Sequence, residues 1–442
     1  MVMSEDRPTA LRDFYRAFSG ENARPVEPTH PYYVPILEQE PAKDPILKLQ
    51  TRIEWEVSDS VSLLTGFRGN GKSTQLLRLR DLLQKRGCRV FLVDMLDYLI
   101  TSKPLELSDF ILSLMAALAE AIRGETGLDE IRKGYWERLR VFLYSEVRSD
   151  GITLKTGGDA LSAELGLRLK TDPTFKDLLQ QRLRGHLTTL VRDAQNFVAA
   201  IIDKLRAIEN KPNLKVVLLV DSVEQIRGHG TEAEAVQRSV VETFSGQAPN
   251  LVFPKLHVVY TIPPYLLALA QNVGRSIGGH PITSWPNVHV RRPNGEDDPG
   301  GLNIMHQIVV RRYSGWERFF AREQLLHLAR VSGGDLRDYF RLVLECLVML
   351  NNSTEKKTSD AVLEQVQKQL QSEMTPIAMD DAKWLVRVHE QKDTALPSIG
   401  DLPRLARFLD SNLIMNYQNG DPWYDVHPLI LPEIRKHLPK AG

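Results

Sequence analysis

Val61-Ser-Leu-Leu-Thr-Gly66-Phe-Arg-Gly-Asn-Gly71-Lys-Ser-Thr74 is the run on which the fold turns. Its first residues read as a buried strand that ends in a glycine turn, and Gly66–Ser73 fits G-x-x-x-x-G-K-[ST]. From Ser73 to Arg86, Leu76, Leu77, Leu79, Leu82 and Leu83 form one broad apolar helical face, with Gly87 as the C-cap. A strand, a glycine loop and a helix in that order suit a phosphate chain. Glycines let successive backbone N–H groups turn inward, and the helix aims its positive end at the same point. Lys72 is placed to reach β- and γ-phosphates, and Ser73 to put its hydroxyl on magnesium. Gly66, Phe67, Arg68, Gly69, Asn70, Gly71, Lys72, Ser73 and Thr74 are therefore expected to hold a nucleoside triphosphate, ATP with Mg2+. The alternative is a glycine-rich turn that binds nothing. A chance match to the motif is rare, and both flanking elements are the ones it requires.

Working outward, Arg89–Asp94 reads as a second strand, which completes a βαβ unit. Lys215–Asp221, Leu256–Ile262 and Asn287–Arg291 read as further strands separated by helical stretches. That alternation predicts an α/β domain with a mostly parallel sheet. Residues 105–212 form a long, mostly helical insertion in which Gly151–Leu154 and Glu164–Lys170 look strand-like. Helices are expected at Arg322–Val331, Asp335–Leu350 and about Ser359–Gln371, then at Asp381–Glu390 and Leu402–Leu409. Leu413–Gln418, the pair Asn419-Gly420 and Trp423–Val426 carry a strong hairpin signal, and helices followed by a hairpin suggest a winged helix. The expected division is an extended arm over 1–43, a core over 44–314, a helical lid over 315–379 and a winged-helix-like unit over 380–442. The arm is proline-rich, with one helical pattern formed by Leu11, Phe14, Tyr15 and Phe18. It packs on its own domain or docks on a neighbouring subunit.

The chain has 442 residues, 42% of them hydrophobic, enough for two or three units. A formal net charge of +0 argues against a strong non-specific hold on nucleic acid or an anionic membrane, although a local basic patch stays open. Two cysteines, Cys88 and Cys346, make neither a disulfide framework nor a CxxC zinc pair. No signal-like stretch opens the chain, and apolar runs such as Val216–Val220 are too short to cross a bilayer. A soluble cytoplasmic protein with no membrane contact is expected.

A magnesium–phosphate site needs an acid for the metal's water shell and a base for the attacking water. Lys215-Val-Val-Leu-Leu-Val-Asp221 is an apolar strand that ends in a candidate for the first role. Glu224, three residues on, is the candidate base, since Ser222 stands beside Asp221. The alternatives are an aspartate that merely caps a turn and a glutamate that faces solvent.

On these residues the chain resembles the AAA+ and STAND branches of P-loop ATPases. Asp221-Ser-Val-Glu-Gln resembles a NACHT-type Walker B, in which a second acid follows after two residues. His257-Val-Val-Tyr-Thr-Ile-Pro is similar to a sensor-1 strand, with Thr261 at the polar position beside the γ-phosphate. Pro263 and Pro264 stand where STAND proteins often show an arginine. Ser332-Gly-Gly-Asp-Leu-Arg337 resembles the sensor-2 signature of the replication-initiator branch, with Arg337 as the matching arginine. A guanidinium on a separate lid reaches phosphate only when the lid closes, so nucleotide state becomes domain geometry. The alternative is an ordinary helix arginine paired with Asp335 or Asp338.

The resemblance implies an α/β P-loop NTPase three-layer sandwich with helical insertion, helical lid and C-terminal winged-helix module. It further implies an ATP-hydrolysing switch that acts through a homo-oligomer, an effector protein, or both. Asp221, Glu224, Lys72, Thr261 and Arg337 would be catalytic, and Ser73 and Asp221 would hold the metal. Arg275, Arg311 and Arg312 are rival candidates for an arginine that acts on a neighbouring subunit, each weighed against a plain surface arginine. A winged helix reading DNA would use Arg404 and Arg407, but Asp401, Asp410, Asp421 and Asp425 surround them. The competing readings are a nucleotide-dependent DNA-binding initiator or transposition regulator, and a scaffold that holds nucleotide without hydrolysing it. A further likeness is to ATPases of bacterial anti-phage cassettes.

Overall fold

The computed structural model describes residues 6–145, 159–183, 185–228, 230–270, 272–418 and 422–436. The chain forms two compact units from interleaved segments. One comprises Met1–Pro45, Gly66–Arg78 and Ser284–Gly442; the other comprises Ile46–Thr65 and Leu79–Thr283.

The second unit carries the parallel sheet. Its strands are β1 (Ser60–Thr65), β2 (Arg89–Asp94), β3 (Val216–Asp221) and β4 (Leu256–Ile262); the two-residue β5 (Thr283–Ser284) falls where the chain passes from this unit to the other. The order is β2-β3-β4-β1-β5. Every residue of β3 and β4 is buried, as expected of continuous apolar runs covered on both faces. β4 pairs with β1 on one side and β3 on the other, so it separates the strand that leads into the glycine loop from the strand that ends in Asp221. The register aligns the carboxyl ends: Thr65 lies opposite Ile262, Val220 opposite Tyr260 and Asp94 opposite Asp221. Ligands of open α/β sheets bind outside that edge.

Helices cover the sheet. Leu187–Ile208 buries Leu190, Ala194, Phe197, Ile201 and Leu205 at helical spacing. The strand expected at Glu164–Lys170 is instead part of the helix Asp159–Thr171. Leu165 and Leu169, one helical turn apart, are buried, whereas Leu167 is 61% exposed. Alternating leucines imitated a strand, but the face they fill has a period of four. Gly151–Leu154 lies outside the described residues. After β4 come two short helices, Leu266–Leu269 and Val273–Ile277.

In the first unit the helices Pro299–Arg312, Arg322–Val331, Leu336–Asn351 and Asp360–Glu373 share one core with the N-terminal helix Arg7–Arg16. Phe14 stacks on Tyr313 at 4.5 Å, and Arg7 Nη2 donates to the Leu350 carbonyl at 2.7 Å. No strand forms at Asn287–Arg291, where the sequence pattern predicted one. Val288 and Val290 are buried in this helical core, and Val288 N–H donates to the Gly334 carbonyl. Their alternation serves packing against the lid rather than pairing in the sheet.

The C-terminal part has helices Met379–Gln391 and Leu402–Asp410, then an antiparallel hairpin of β6 (Ile414–Gln418) and β7 (Pro422–Val426). The Asn419-Gly420 turn lies outside the described residues. The fold class is thus α/β, a P-loop-type parallel sheet with a helical insertion and a helical lid; a helix-and-hairpin module follows. No helix among the described residues is long and apolar enough to cross a membrane.

Candidate nucleotide site

The first unit contains the glycine loop. Gly69 and Gly71 have φ of +86° and +88°, values that side chains resist, and the helix Lys72–Lys85 begins at once. Phe67, Asn70 and Lys72 are buried. Lys72 Nζ donates to the carbonyls of Gly66 at 2.8 Å and Phe67 at 2.6 Å, so its ammonium curls back over the loop. Thr74 Oγ1 accepts from Val26 N–H at 3.4 Å, and Ser73 is half-buried.

Trp285 was missed by sequence reasoning. Asn70 Nδ2 donates to the Trp285 carbonyl at 2.7 Å, and Trp285 Nε1–H donates to the Asn70 carbonyl at 2.9 Å. The reciprocal pair clamps the middle of the loop. No motif marks Trp285, which lies 215 positions along the chain.

The Arg68 side chain is buried. Its guanidinium lies 3.5 Å from Asp410, and its carbonyl accepts from Asn412 Nδ2 at 3.4 Å. These two contacts tie the loop to the C-terminal module.

Arg337 is brought to the loop. It is the second residue of the helix Leu336–Asn351, whose N-cap Asp335 accepts from Asp338 N–H at 3.0 Å. A Cβ on Gly69 would sit 2.4 Å from Arg337 Cβ and 2.8 Å from Asp335 Oδ1. The Arg337 side chain is exposed.

The second unit holds the other group. Asp221 ends β3, and Ser222 follows in the left-handed region at φ +67°. Asp221 Oδ1 accepts from Ser222 N–H at 2.8 Å. Thr261 Oγ1 accepts from Val223 N–H at 3.1 Å, which fastens the Asp221–Glu224 turn to β4. Glu224 is only 3% exposed, so it is not the solvent-facing glutamate of the alternative reading.

Of the trans-acting candidates, Arg275 is exposed on the short helix Val273–Ile277. Arg311 donates to the Tyr33 carbonyl. Arg312 donates to the Ala17 carbonyl at 3.1 Å and lies over the Phe18 and Phe340 rings. Burial lowers its pKa to about 10. Both therefore fasten the N-terminal segment.

Arg404 and Arg407 share one partner. Arg404 donates to Asp381 Oδ1 at 2.9 Å and to Asp401 at 2.9 Å, and Arg407 donates to Asp381 Oδ2 at 2.5 Å.

No family model matches this chain, and no curated protein matches it. Solved structures similar to it include Drosophila ORC bound to DNA, at 12% identity over 98% of this chain and 93% of that one, TM-score 0.40. The Aeropyrum pernix ORC2 protein in ADPNP–ADP complexes matches at 11% identity, 98% of each chain and TM-score 0.40. The Thermotoga maritima RuvB Holliday junction branch migration motor matches at 14% identity, 91% and 96% coverage and TM-score 0.36.

Proposed function

We propose that the chain is an ATP-binding, ATP-hydrolysing switch in which nucleotide state controls assembly or a partner protein. The observation that carries the reading is the glycine loop itself: two positive-φ glycines, a buried lysine and a 14-residue helix that starts at Lys72. Its backbone N–H groups and helix end suit a polyphosphate. On ATP binding, Lys72 leaves its own loop carbonyls for the β- and γ-phosphates. On the glycine loop Ser73 would offer its hydroxyl to Mg2+, which neutralises phosphate charge, and Asp221, at the end of β3, is the acid we assign to the metal. Hydroxyl and carboxylate oxygens are the donors magnesium takes.

Glu224 takes the proton of the attacking water in this reading, and Thr261 holds the turn that carries it. Arg337 reports the γ-phosphate, because its helix starts against the loop at Gly69. Lys72→Ala is expected to abolish nucleotide binding, measured by titration calorimetry. Glu224→Gln is expected to keep binding and lose phosphate release by 100-fold or so, the usual weight of a general base. Unimpaired release by Glu224→Gln would remove that residue from the mechanism. Purified protein that retains ATP rather than ADP would favour the non-hydrolysing scaffold. The engagement of Arg404 and Arg407 with Asp381 speaks against DNA reading through those two residues.

A further inference from the structure

Gly69 occupies a position that the phosphate-loop motif leaves open to any residue. Its glycine has a second reason beyond φ. The first turn of the helix Leu336–Asn351 presses on it so closely that a methyl group would collide with both Asp335 and Arg337. Asp335 is therefore an acid seated against an anion-binding loop. It is 1% exposed. One oxygen caps the helix by accepting from Asp338 N–H, and the other, Oδ2, is buried with no hydrogen-bond partner.

The surroundings lean both ways. On its own helix Asp335 faces the charges of Asp338 and Arg337. From the C-terminal module His427, fully buried, lies 3.1 Å from Asp338 Oδ2, and Tyr417 donates to the Gly333 carbonyl at 2.7 Å. His427 Nδ1 accepts from Leu429 N–H at 3.3 Å. The segment over residues 287–291 contributes Arg291 and His289, which burial keeps neutral, with a pKa of about 4. On the loop, Arg68 and Lys72 flank Gly69, and Arg68 is paired with Asp410. Burial, with the charge of Asp338, pushes Asp335 up to about 7. Burial works to raise Asp338, but the neighbouring His427 and Arg341 hold it below the usual carboxylate range.

We propose that Asp335 is a positioning residue for the nucleotide site, which seats the lid helix on the phosphate loop as a neutral acid and loosens it when ionised. This rests on the reading of that loop as a nucleotide site. A carboxylate beside Gly69 repels a bound polyphosphate; a carboxylic acid does not, and it keeps its capping oxygen. Nucleotide and the Asp335 proton therefore bind with mutual support.

The test is calorimetric titration of the full chain with ADP and Mg2+ between pH 6.5 and 8.5, for wild type, Asp335→Asn, Asp335→Ala and Lys72→Ala. Asn keeps the cap and cannot ionise. Wild-type Kd is expected to rise up to about tenfold per pH unit above 7. Asp335→Asn is expected to lose that rise and to bind more tightly than Asp335→Ala throughout. The nucleotide's own protonation is common to all four proteins. Amide exchange gives a second readout: at pH 8, Gly69–Gly71 should be better protected in Asp335→Asn than in wild type. An Asp335→Asn profile parallel to wild type, or loop protection unchanged by the substitution, overturns the proposal. Failure of the underlying reading shows differently, as wild type binding no better than Lys72→Ala.

Discussion

Gly69 and Ser222 illustrate how single backbone positions constrain the two units, one in each. Both have positive φ, but only one is a glycine. Gly69→Ala meets a strained φ and two hard contacts, so a loss of about 1–3 kcal/mol in stability is expected, with weakened nucleotide binding, in urea melts and titrations. At Ser222 the left-handed conformation is one that side chains rarely adopt, and Lys255 and Lys392 share it elsewhere in the chain. Asp335 carries a pH signature of its own. Its raised folded-state pKa means that the native chain holds this proton more tightly than the unfolded chain. Its contribution therefore favours folding at low pH and declines as pH rises from the ordinary aspartate range through about 7. Urea midpoints at pH 5 and pH 8 should differ less in Asp335→Asn than in wild type.

At the scale of elements, the glycine loop is held from outside its own motif. Trp285→Phe keeps an aromatic ring, though a smaller one, and removes the Nε1–H donor to Asn70. The buried carbonyl left behind costs about 1–3 kcal/mol, and a matching loss of nucleotide affinity is expected by calorimetry. The helix Leu402–Asp410 offers a contrast. Its arginines are the ones a DNA-reading winged helix would use, but Asp381 holds both. Duplex DNA binding at low salt is accordingly expected to be unchanged in an Arg404→Ala, Arg407→Ala protein, measured by fluorescence anisotropy. Elements with local signatures were legible from residue pattern alone: strands β1 to β4, the helix after the loop, and the hairpin partners. The misread ones, Glu164–Lys170 and Asn287–Arg291, both alternate apolar residues. Alternation says which residues are buried, not whether the neighbour that buries them is a strand or a helix.

Across the whole molecule, each compact unit is assembled from distant segments. The N-terminal helix belongs to the core formed by residues 288–370, although nearly 270 residues intervene. Phe14 is fully buried there and lies against Tyr313, Phe319 and Phe320. Phe14→Ala should cost about 3–5 kcal/mol and lower the denaturation midpoint of that unit. The amino-acid sequence by itself determined the glycine loop, because positive-φ glycines and a helix start are encoded within a few neighbouring residues. It also determined the buried strands, because continuous apolar runs have few other homes. Only the tertiary structure decided that Trp285 clamps the loop, that Arg68 turns to Asp410, and that an acid from the lid sits on Gly69. Those contacts join residues more than 200 positions apart, and their energies depend on burial and distance that no local pattern contains.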